Sequence, residues 1–267
     1  MDGIKCVKVN LPRNIKQLEI IPISDTHIGD AACDYDLLKS RINYIKEHKN
    51  CYTILTGDIM NMAIKTSVSD IYSEKIDPMM QIEKMTELFE PINNKILGIV
   101  QGNHEARVYR NDGIDITKLV ANNLKCLDKY SQTSLVLFIR FGEETRGRKQ
   151  TGTDDIRQVL YTIYATHGSG GGRTTGAKAN ALNRLGDITN ADIMIHSHTH
   201  MPIAFKEDKF EIDARNNCLI RKERLYVNTG AGLDYSGYAI TASFKPASKS
   251  TPTIILSGER KEMTARL

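Results

Sequence analysis

Short apolar runs alternate with longer helical patterns through the first half of the chain, and this alternation restricts the fold more than any other feature of the sequence. Apolar runs of strand length lie at 17–24, 52–56 and 95–100. Residues 34–49 repeat leucine and isoleucine at helical spacing, and a second helical stretch over 79–90 stops before Pro91. Strands connected through helices in this order run parallel, so we predict parallel strands with helices packed outside them.

The second half of the chain is richer in strands. Strand-like runs lie at 133–141, 158–166, 191–196, 203–214, 219–228, 238–244 and 253–257. Only residues 174–186 have a helical pattern among them, and the polar, turn-rich segment 142–155 is predicted to be an exposed hairpin loop. A parallel half followed by a strand-rich half predicts an α/β fold with two sheets packed face to face. We expect a single domain over residues 1–267.

Composition limits the classes of protein to which the chain can belong. With 40% apolar and 25% charged residues among 267, it can form a packed core. No apolar run reaches the roughly 18 residues of a membrane span, and no signal peptide is recognisable, so we expect a cytoplasmic protein with no membrane partner. The five cysteines are scattered without a CxxC pair, which predicts free thiols and no disulfide framework. The net charge of +4 suits a phosphate-bearing substrate without identifying a nucleic-acid binder.

Five polar clusters each follow a strand-like run. They are Ser24-Asp25-Thr26-His27, Thr56-Gly57-Asp58, Gln101-Gly102-Asn103-His104-Glu105, His167-Gly168 and His196-Ser197-His198-Thr199-His200. Ligand sites of open α/β sheets form at the carboxyl ends of the strands, so we expect these clusters to meet at one edge. Of the seven histidines, only His48 lies outside them. If the strand at 191–196 continued, His196, His198 and His200 would share one face.

The residue types in these clusters suit divalent metals. Aspartate and neutral imidazole are ligands for Mn²⁺, Fe, Ni²⁺ or Zn²⁺. One carboxylate can bridge two cations, which together bind a phosphate oxygen and lower the pKa of a bound water, while a further histidine can protonate the leaving oxygen. Each cluster alone has a plainer interpretation as a helix cap, a turn or a surface histidine. The five together, in this order, predict a two-metal phosphoesterase.

Through these motifs the chain resembles the calcineurin-like metallophosphoesterase superfamily. The family motifs D-x-H, G-D-x-x-(D/N), G-N-H-(D/E), H and G-H-x-H stand here as Asp25-Thr26-His27, Gly57-Asp58-Ile59-Met60-Asn61, Gly102-Asn103-His104-Glu105, His167 and Ser197-His198-Thr199-His200. The resemblance spans residues 25–200 and implies a four-layer α/β/β/α sandwich of two mixed sheets flanked by helices. It also implies two divalent metal ions. We expect Mn²⁺ because four of the implied ligands are imidazoles, with Zn²⁺, Fe, Ni²⁺ or Mg²⁺ as alternatives.

The resemblance further implies a role for each motif residue. The implied metal ligands are Asp25, His27 and His200 for the first ion, Asn103, His167 and His198 for the second, and Asp58 as the bridge. His104 would donate a proton or steady the phosphate, and Glu105 would orient His104. The predicted catalytic residues are therefore His104, Asp58 and Glu105.

Three features depart from the family pattern or lie outside it. Ser197 stands where the family usually has glycine, and we expect a slight backbone adjustment without loss of metal. The protein phosphatases of the superfamily continue G-D-x-V-D-R-G, whereas this chain has Met62 and Ala63 after Asn61, so the arginine is missing and a protein phosphatase is disfavoured. His196 is either a buried histidine with a backbone partner or a group that supports the metal ligands.

A glycine-rich segment follows His167 directly. It reads Gly168-Ser169-Gly170-Gly171-Gly172-Arg173-Thr174-Thr175-Gly176-Ala177-Lys178 and lacks the spacing of a Walker A loop. Glycine allows close approach to phosphate, and a helix beginning near Thr174 or Thr175 would offer free N–H groups. We predict that Arg173 and Lys178 contact substrate oxygens, the alternative being a connector whose glycines only turn the chain.

The sequence leaves three functions to be distinguished. The leading hypothesis is a metal-dependent phosphodiesterase that acts on a nucleotide or nucleic acid, as a nuclease does. The alternative is a phosphomonoesterase of a small metabolite. An inert scaffolding relative is disfavoured because such relatives lose metal ligands or the catalytic histidine, and this chain retains them.

Overall fold

The computed structural model of the chain describes residues 3–65, 67, 71–142 and 158–267. The strands are β1 (Ile4–Leu11), β2 (Gln17–Ile23), β3 (Cys51–Thr56), β4 (Ile96–Val100), β5 (Tyr130–Ser131), β6 (Ser134–Phe141), β7 (Val159–Thr166), β8 (Ile193–His196), β9 (Ile203–Asp213), β10 (Cys218–Asn228), β11 (Thr253–Ser257) and β12 (Met263–Arg266). The α-helices are α1 (Tyr35–Glu47), α2 (Pro78–Phe89), α3 (Asn103–Asp112), α4 (Ile116–Asn123), α5 (Thr175–Asn183), α6 (Leu185–Ile188) and α7 (Tyr238–Thr241).

The strands form two mixed six-stranded sheets. The first sheet has the order β1-β6-β7-β8-β10-β9, and the second has the order β12-β11-β2-β3-β4-β5. In the second sheet β2, β3, β4 and β5 run parallel, as the alternation of strands and helices predicts, and β11 joins β2 antiparallel. In the first sheet β7, β8 and β10 run parallel, whereas β6 and β9 are antiparallel to their neighbours β7 and β10.

Each sheet has one face against the other sheet and one face against helices. The core between the sheets takes alternate residues from both, such as Ile20 and Ile54 from one and Leu137 and Ile163 from the other. A second core packs α1, α2 and α4 on the outer face of β2, β3 and β4. A smaller core packs Leu182 and Leu185 of α5 and α6 on the first sheet. The predicted four-layer sandwich is therefore confirmed.

Local sequence signals explain where the outer helices begin. Asp34 accepts a hydrogen bond from the Leu37 backbone N–H at 2.9 Å and caps α1. Asp77 caps α2 by accepting from the Met80 N–H at 2.9 Å, and proline occupies the first helical position, where its missing N–H is not needed. Within α1, Leu38, Ile42 and Ile45 are buried, as their helical spacing predicts.

Several expectations about the fold need correction. The run at 238–244 is not a strand: backbone bonds such as Thr241 N–H to the Gly237 carbonyl form the short helix α7 instead of a sheet ladder. The helical run at 174–186 is two helices, α5 and α6, with Arg184 between them. The two halves of the chain also interleave, because β1 joins the first sheet beside β6 while β11 and β12 complete the second. Strands β1 and β12 and helices α3 and α4 were not predicted from the sequence.

The antiparallel pair β6 and β7 fits a hairpin, but most of the loop predicted at 142–155 lies outside the described residues. None of the helices in the described part of the chain is long and apolar enough to span a membrane.

Candidate metal centre

The predicted ligands converge where five strands end. Asp25 and His27 follow β2, Asp58 follows β3, Asn103 begins α3 after β4, His167 follows β7, and His198 and His200 follow β8. Ligand atoms that lie within 4.8 Å of one another form three groups: Asp25 with His27 and His200; His27 with Asp58 and His104; and Asp58 with His167 and His198. The sequence clusters therefore meet at one edge of the sandwich.

Asp58 is the carboxylate shared by two of these groups. Its Oδ2 lies 3.2 Å from His167 Nε2 and 3.8 Å from His104 Nε2. Asn103 completes the side of His167, since its Oδ1 lies 3.0 Å from His167 Nε2. His198 Nδ1 approaches the same nitrogen at 3.3 Å. The arrangement has two sides, one built around Asp25 and the other around His167, with Asp58 between them.

Two buried atoms of this arrangement show that it fits a cation. Asp25 Oδ1 and His27 Nε2 have no hydrogen-bond partner among the described residues. His200 Nε2 lies 3.2 Å from that Asp25 oxygen. Neighbouring ligands bound to one metal at about 2.1 Å are separated by roughly 3 Å, which agrees with these spacings. Buried polar atoms are otherwise almost always paired, so the residues present fit a divalent metal on chemistry and on spacing.

Oxygen acceptors fix the tautomers of three histidines. His27 Nδ1 lies 3.1 Å from Asn61 Oδ1, His104 Nδ1 lies 2.8 Å from the Asn61 carbonyl, and His167 Nδ1 lies 2.8 Å from the Thr56 carbonyl. A carbonyl oxygen only accepts, so each Nδ1 carries a hydrogen, and Nε2 is the ring atom that faces the centre and can bind a metal once it holds no proton. This is the usual way in which a protein orients metal-binding imidazoles.

Five of the seven predicted ligands have left-handed backbone conformations. The φ angles lie between 47° and 65° at Asp25, His27, Asp58, His198 and His200. Non-glycine residues in this region cost on the order of 1–3 kcal/mol each and persist only where the surroundings enforce them. The turns after the strands are therefore strained, and this strain aims the side chains inward.

A buried carboxylate holds two of these turns together. Glu105 Oε2 accepts from the backbone N–H of Asp58 at 3.0 Å and of Gly102 at 3.1 Å, and Oε1 accepts from Met60 N–H at 3.0 Å. Burial raises the pKa of Glu105 to about 7, with Asp58 adding to the effect. Glu105 thus supports the backbone of the Asp58 turn, and His104 is oriented by Asn61 and not by Glu105 as the resemblance implied.

Close backbone approach also requires two glycines in these turns. Gly57 has φ +86°, and a Cβ there would lie 2.5 Å from the Gly102 Cα. A Cβ on Gly102 would lie 2.1 Å from the Asp58 backbone nitrogen. The turns after β3 and β4 therefore touch backbone to backbone, which only glycine permits.

Ser197 and His196 have partners inside the protein. Ser197 is fully buried, its Oγ lies 2.6 Å from Thr56 Oγ1, and its backbone N–H donates to the His167 carbonyl. The serine hydroxyl therefore links the end of β3 to the turn after β8.

His196 is the last residue of β8, and the chain turns after it, so the shared face predicted for three histidines does not form. His196 Nδ1 lies 2.7 Å from Asn228 Oδ1, and Asn228 Nδ2 donates to Thr199 Oγ1 at 2.9 Å. Asn228, which the sequence analysis missed, thereby supports the loop that carries two ligands.

Burial and charge set the protonation of the centre. Burial would raise the pKa of Asp25, but His200 lowers it to about 2, and neighbouring histidines also lower the pKa of buried Asp58. Burial lowers the pKa of His27 to about 3. Burial opposes the charge of His167, yet the adjacent Asp58 carboxylate raises its pKa to about 10. Metal binding at His167 would therefore release a proton.

The two cations predicted to contact substrate have partners within the protein. Lys178 Nζ donates to the Thr199 carbonyl at 2.7 Å, between His198 and His200. The Arg173 guanidinium lies 5.1 Å from the centre of the Phe244 ring. As predicted, the helix beyond the glycine-rich segment begins at Thr175 with Thr174 as its cap. Substrate contact by either cation stays a prediction.

Comparison with known proteins adds a family match. A sequence model of the calcineurin-like phosphoesterases matches residues 18–202. No curated protein sequence matches the chain. Similar solved structures include a predicted phosphoesterase from Streptococcus pneumoniae TIGR4, with 14% identity over 94% of this chain and 98% of that chain and a TM-score of 0.37. A metallophosphoesterase from Sphaerobacter thermophilus has 14% identity over 94% of this chain and 89% of that chain, with a TM-score of 0.41. A single mutant of Vps29 from Entamoeba histolytica has 13% identity over 94% of this chain and 100% of that chain, with a TM-score of 0.39.

The contacts of Glu105 predict the effect of an isosteric change. Glu105→Gln replaces one accepting oxygen by an NH₂ group, which must face a backbone N–H. We expect the free energy of unfolding of the metal-free protein to fall by about 1–3 kcal/mol, the cost of an unsatisfied buried donor. Chemical denaturation at pH 5, below the Glu105 pKa of about 7, measures it, because neither side chain then carries a buried charge in the folded protein.

The matched control is Glu90→Gln, the same change at an exposed position, which should leave the unfolding curve unchanged. The Glu105 variant should also retain less metal after dialysis, because the Asp58 turn loses its support. Wild-type stability together with wild-type metal content would contradict the role assigned to Glu105.

Proposed function

Because the chain belongs to the calcineurin-like phosphoesterase family, we propose that it is a hydrolase of phosphate esters that depends on two metal ions. Its proposed activity is that of a phosphodiesterase on a nucleotide or nucleic acid. The observation that carries the proposal is the position of Asp58, whose carboxylate belongs to two separate groups of ligand atoms. A carboxylate shared in this way suits two cations held close together.

The proposed ligands divide between the two sides of the centre. Asp25, His27 and His200 would hold one ion, Asn103, His167 and His198 the other, and Asp58 both. When bound, the two ions would supply a Lewis-acid site for the phosphate and lower the pKa of a nucleophilic water. Mn²⁺ is the proposed metal because the set contains four imidazoles, which Mg²⁺ binds poorly.

His104 is proposed to act on the leaving group. Its side chain is 16% exposed, whereas Asp58 beside it is 2% exposed, so the ring borders the open side of the centre. Its Nδ1–H is committed to the Asn61 carbonyl, which leaves Nε2 as the atom that holds a proton for the leaving oxygen or donates to the phosphate. The nearby Asp58 carboxylate favours the protonated ring, although burial lowers the pKa of His104.

The segment after Asp58 supports a diester substrate. Met62 and Ala63, which occupy the positions that continue to arginine in the protein phosphatases, are buried apolar residues. Phosphomonoesters carry more negative charge than diesters and need more cationic contacts. The glycine-rich segment, with Arg173 and Lys178, is the proposed substrate-binding surface because it leaves His167 directly.

One observation favours the phosphomonoesterase alternative. Arg107 lies one turn after Asn103 on α3, is partly buried, and donates to Ser67 Oγ at 2.7 Å. Burial lowers the pKa of Arg107, and the carboxylates of Asp58 and Glu105 oppose that shift. The Arg107 charge therefore interacts electrostatically with groups of the centre. A guanidinium there could bind the additional charge of a monoester. The inert-scaffold alternative has no such support, since the predicted ligands and His104 come together.

The proposed organisation is one domain, supported by the C-terminal β11 and β12, which extend the sheet of β2. A cytoplasmic location and an action as a nuclease stay predictions.

A substrate panel tests the proposed function. The protein is stripped with a chelator, reloaded with Mn²⁺ or Mg²⁺, and assayed on nitrophenyl phosphate, bis-nitrophenyl phosphate, cyclic nucleotides, and single- and double-stranded DNA. We expect Mn²⁺ to restore activity at least as well as Mg²⁺, with diesters hydrolysed faster than the monoester. Full activity after exhaustive chelation would refute the metal dependence. Faster turnover of the monoester than of the diesters would favour the phosphomonoesterase alternative. Inactivity of the metal-loaded protein on every substrate would contradict a hydrolase.

The position of His104 predicts a dependence on the leaving group. His104→Ala should keep both metals, because the backbone N–H of His104 still donates to Asp58 Oδ1 at 2.8 Å. Turnover of a nucleotide diester should fall about 10²–10⁴-fold, the usual contribution of a general acid. Nitrophenolate scarcely needs a proton on leaving, so the loss on bis-nitrophenyl phosphate should be much smaller.

The control for this variant is His48→Ala, which removes the histidine outside the clusters and should leave both rates unchanged. Equal losses on the two substrates would show that His104 positions the phosphate and is not the acid.

A further inference from the structure

Glu74 lies outside every motif, yet it is connected to the metal centre through one amide. It is only partly exposed and precedes α2. Its Oε1 accepts a hydrogen bond from Asn61 Nδ2, and its Oε2 accepts one from Gln81 Nε2 at 2.6 Å. Asn61 in turn contacts His27. The series Gln81, Glu74, Asn61 and His27 is a continuous set of hydrogen bonds that ends at a proposed ligand.

Backbone groups fix the amide at the far end of this series. Gln81 is fully buried, its Oε1 accepts from the Met62 backbone N–H at 2.9 Å, and its Nε2 donates to the Ile76 carbonyl at 3.0 Å. A backbone N–H only donates and a carbonyl only accepts, so the amide of Gln81 has one orientation. Its NH₂ group is therefore the one that faces Glu74.

The Glu74 carboxylate determines the orientation of the Asn61 amide. An ionised carboxylate only accepts, so Glu74 requires a donor from both amides that it contacts. Asn61 is 1% exposed and satisfies this requirement by turning Nδ2 toward Glu74. Its Oδ1 is then directed at His27 Nδ1, 3.1 Å away.

The last member of the series is the ring of His27. An amide oxygen accepts, so His27 Nδ1 carries the hydrogen and Nε2 has the lone pair. That Nε2 is one of the buried atoms without a hydrogen-bond partner among the described residues. A ring in the other tautomer would turn an N–H toward the centre and could not bind a metal through Nε2.

We propose that Glu74 is a positioning residue that sets the tautomer of His27 through Asn61 and thereby prepares Nε2 to bind metal. The role of His27 as a ligand rests on the proposed function, whereas its tautomer does not. Glu74 does not touch the centre. It acts by excluding the amide orientation that would present Asn61 NH₂ to His27.

An isosteric substitution reverses the series. In Glu74→Gln, the new amide must turn its oxygen toward Gln81, whose NH₂ is held in place by the backbone. Its own NH₂ then faces Asn61, which turns Oδ1 outward to accept and presents Nδ2 to His27. Every hydrogen bond is satisfied again, with the hydrogen of His27 moved to Nε2. The variant therefore keeps its fold and changes the tautomer.

The test reads the ring directly. The ¹⁵N spectra of the histidine side chains are recorded for metal-free protein at pH 7.5, where His27 is neutral because burial lowers its pKa to about 3. Wild type should show His27 protonated at Nδ1, Glu74→Gln at Nε2, and Glu74→Asp, which retains an accepting carboxylate, at Nδ1. The control Glu83→Gln makes the same change at an exposed site of α2 and should leave the tautomer as in wild type.

Metal affinity provides the second measurement. Titration with Mn²⁺ should show one site weakened about 10- to 100-fold in Glu74→Gln, the usual cost of disturbing a group that orients a ligand, with Glu74→Asp closer to wild type. A His27 that stays protonated at Nδ1 in folded Glu74→Gln would overturn the proposal, as would an Nε2–H in wild type or in Glu74→Asp. The spectra need neither metal nor turnover. The tautomer of His27 can therefore be confirmed or refuted whether or not the protein proves to be a phosphoesterase.

Discussion

The strained turns after the strands depend on hydrogen bonds to buried side chains that are not themselves predicted metal ligands. Glu105 is the clearest case, because its carboxylate binds three backbone N–H groups and joins the turn after β3 to the start of α3. Without it, the left-handed Asp58 would lose the hydrogen bond of its own backbone N–H, one of the contacts that enforce its conformation. The direction of the Asp58 side chain, and with it the division of the centre into two sides, follows from this backbone support.

The centre is a set of charges and lone pairs that the protein alone does not satisfy. Asp25 and Asp58 are buried carboxylates whose pKa values neighbouring histidines lower, and two of the buried ligand atoms have no hydrogen-bond partner among the described residues. The Asn61 oxygen keeps the hydrogen of His27 on Nδ1, so the unpaired His27 Nε2 faces the centre as an acceptor. Divalent ions would bind these oxygens and nitrogens together. The close ligand atoms that destabilise the metal-free protein would therefore stabilise the metal-bound protein.

Patterns that act over short distances could be read from the sequence. The bounds of β2, β3 and β4 follow from apolar runs, and the ligands follow because each is adjacent to such a run. Features that arise from distant contacts could not be read. Glu74 and Asn228 act through residues that are far away in the sequence, and the predicted strand at 238–244 failed because local hydrogen bonds replaced a sheet partner. Glu105 was recognised as a supporting residue, but its target became clear only from the geometry of the backbone.

Electron paramagnetic resonance of the Mn²⁺-loaded protein tests the central claim, that Asp58 joins two metal ions in one centre. Two ions about 3.5–4 Å apart couple magnetically. The account predicts that the chain binds two equivalents with the spectrum of a coupled pair, and that Asp58→Asn abolishes the coupling. A single equivalent at saturation, with the six-line spectrum of an isolated ion, would contradict it.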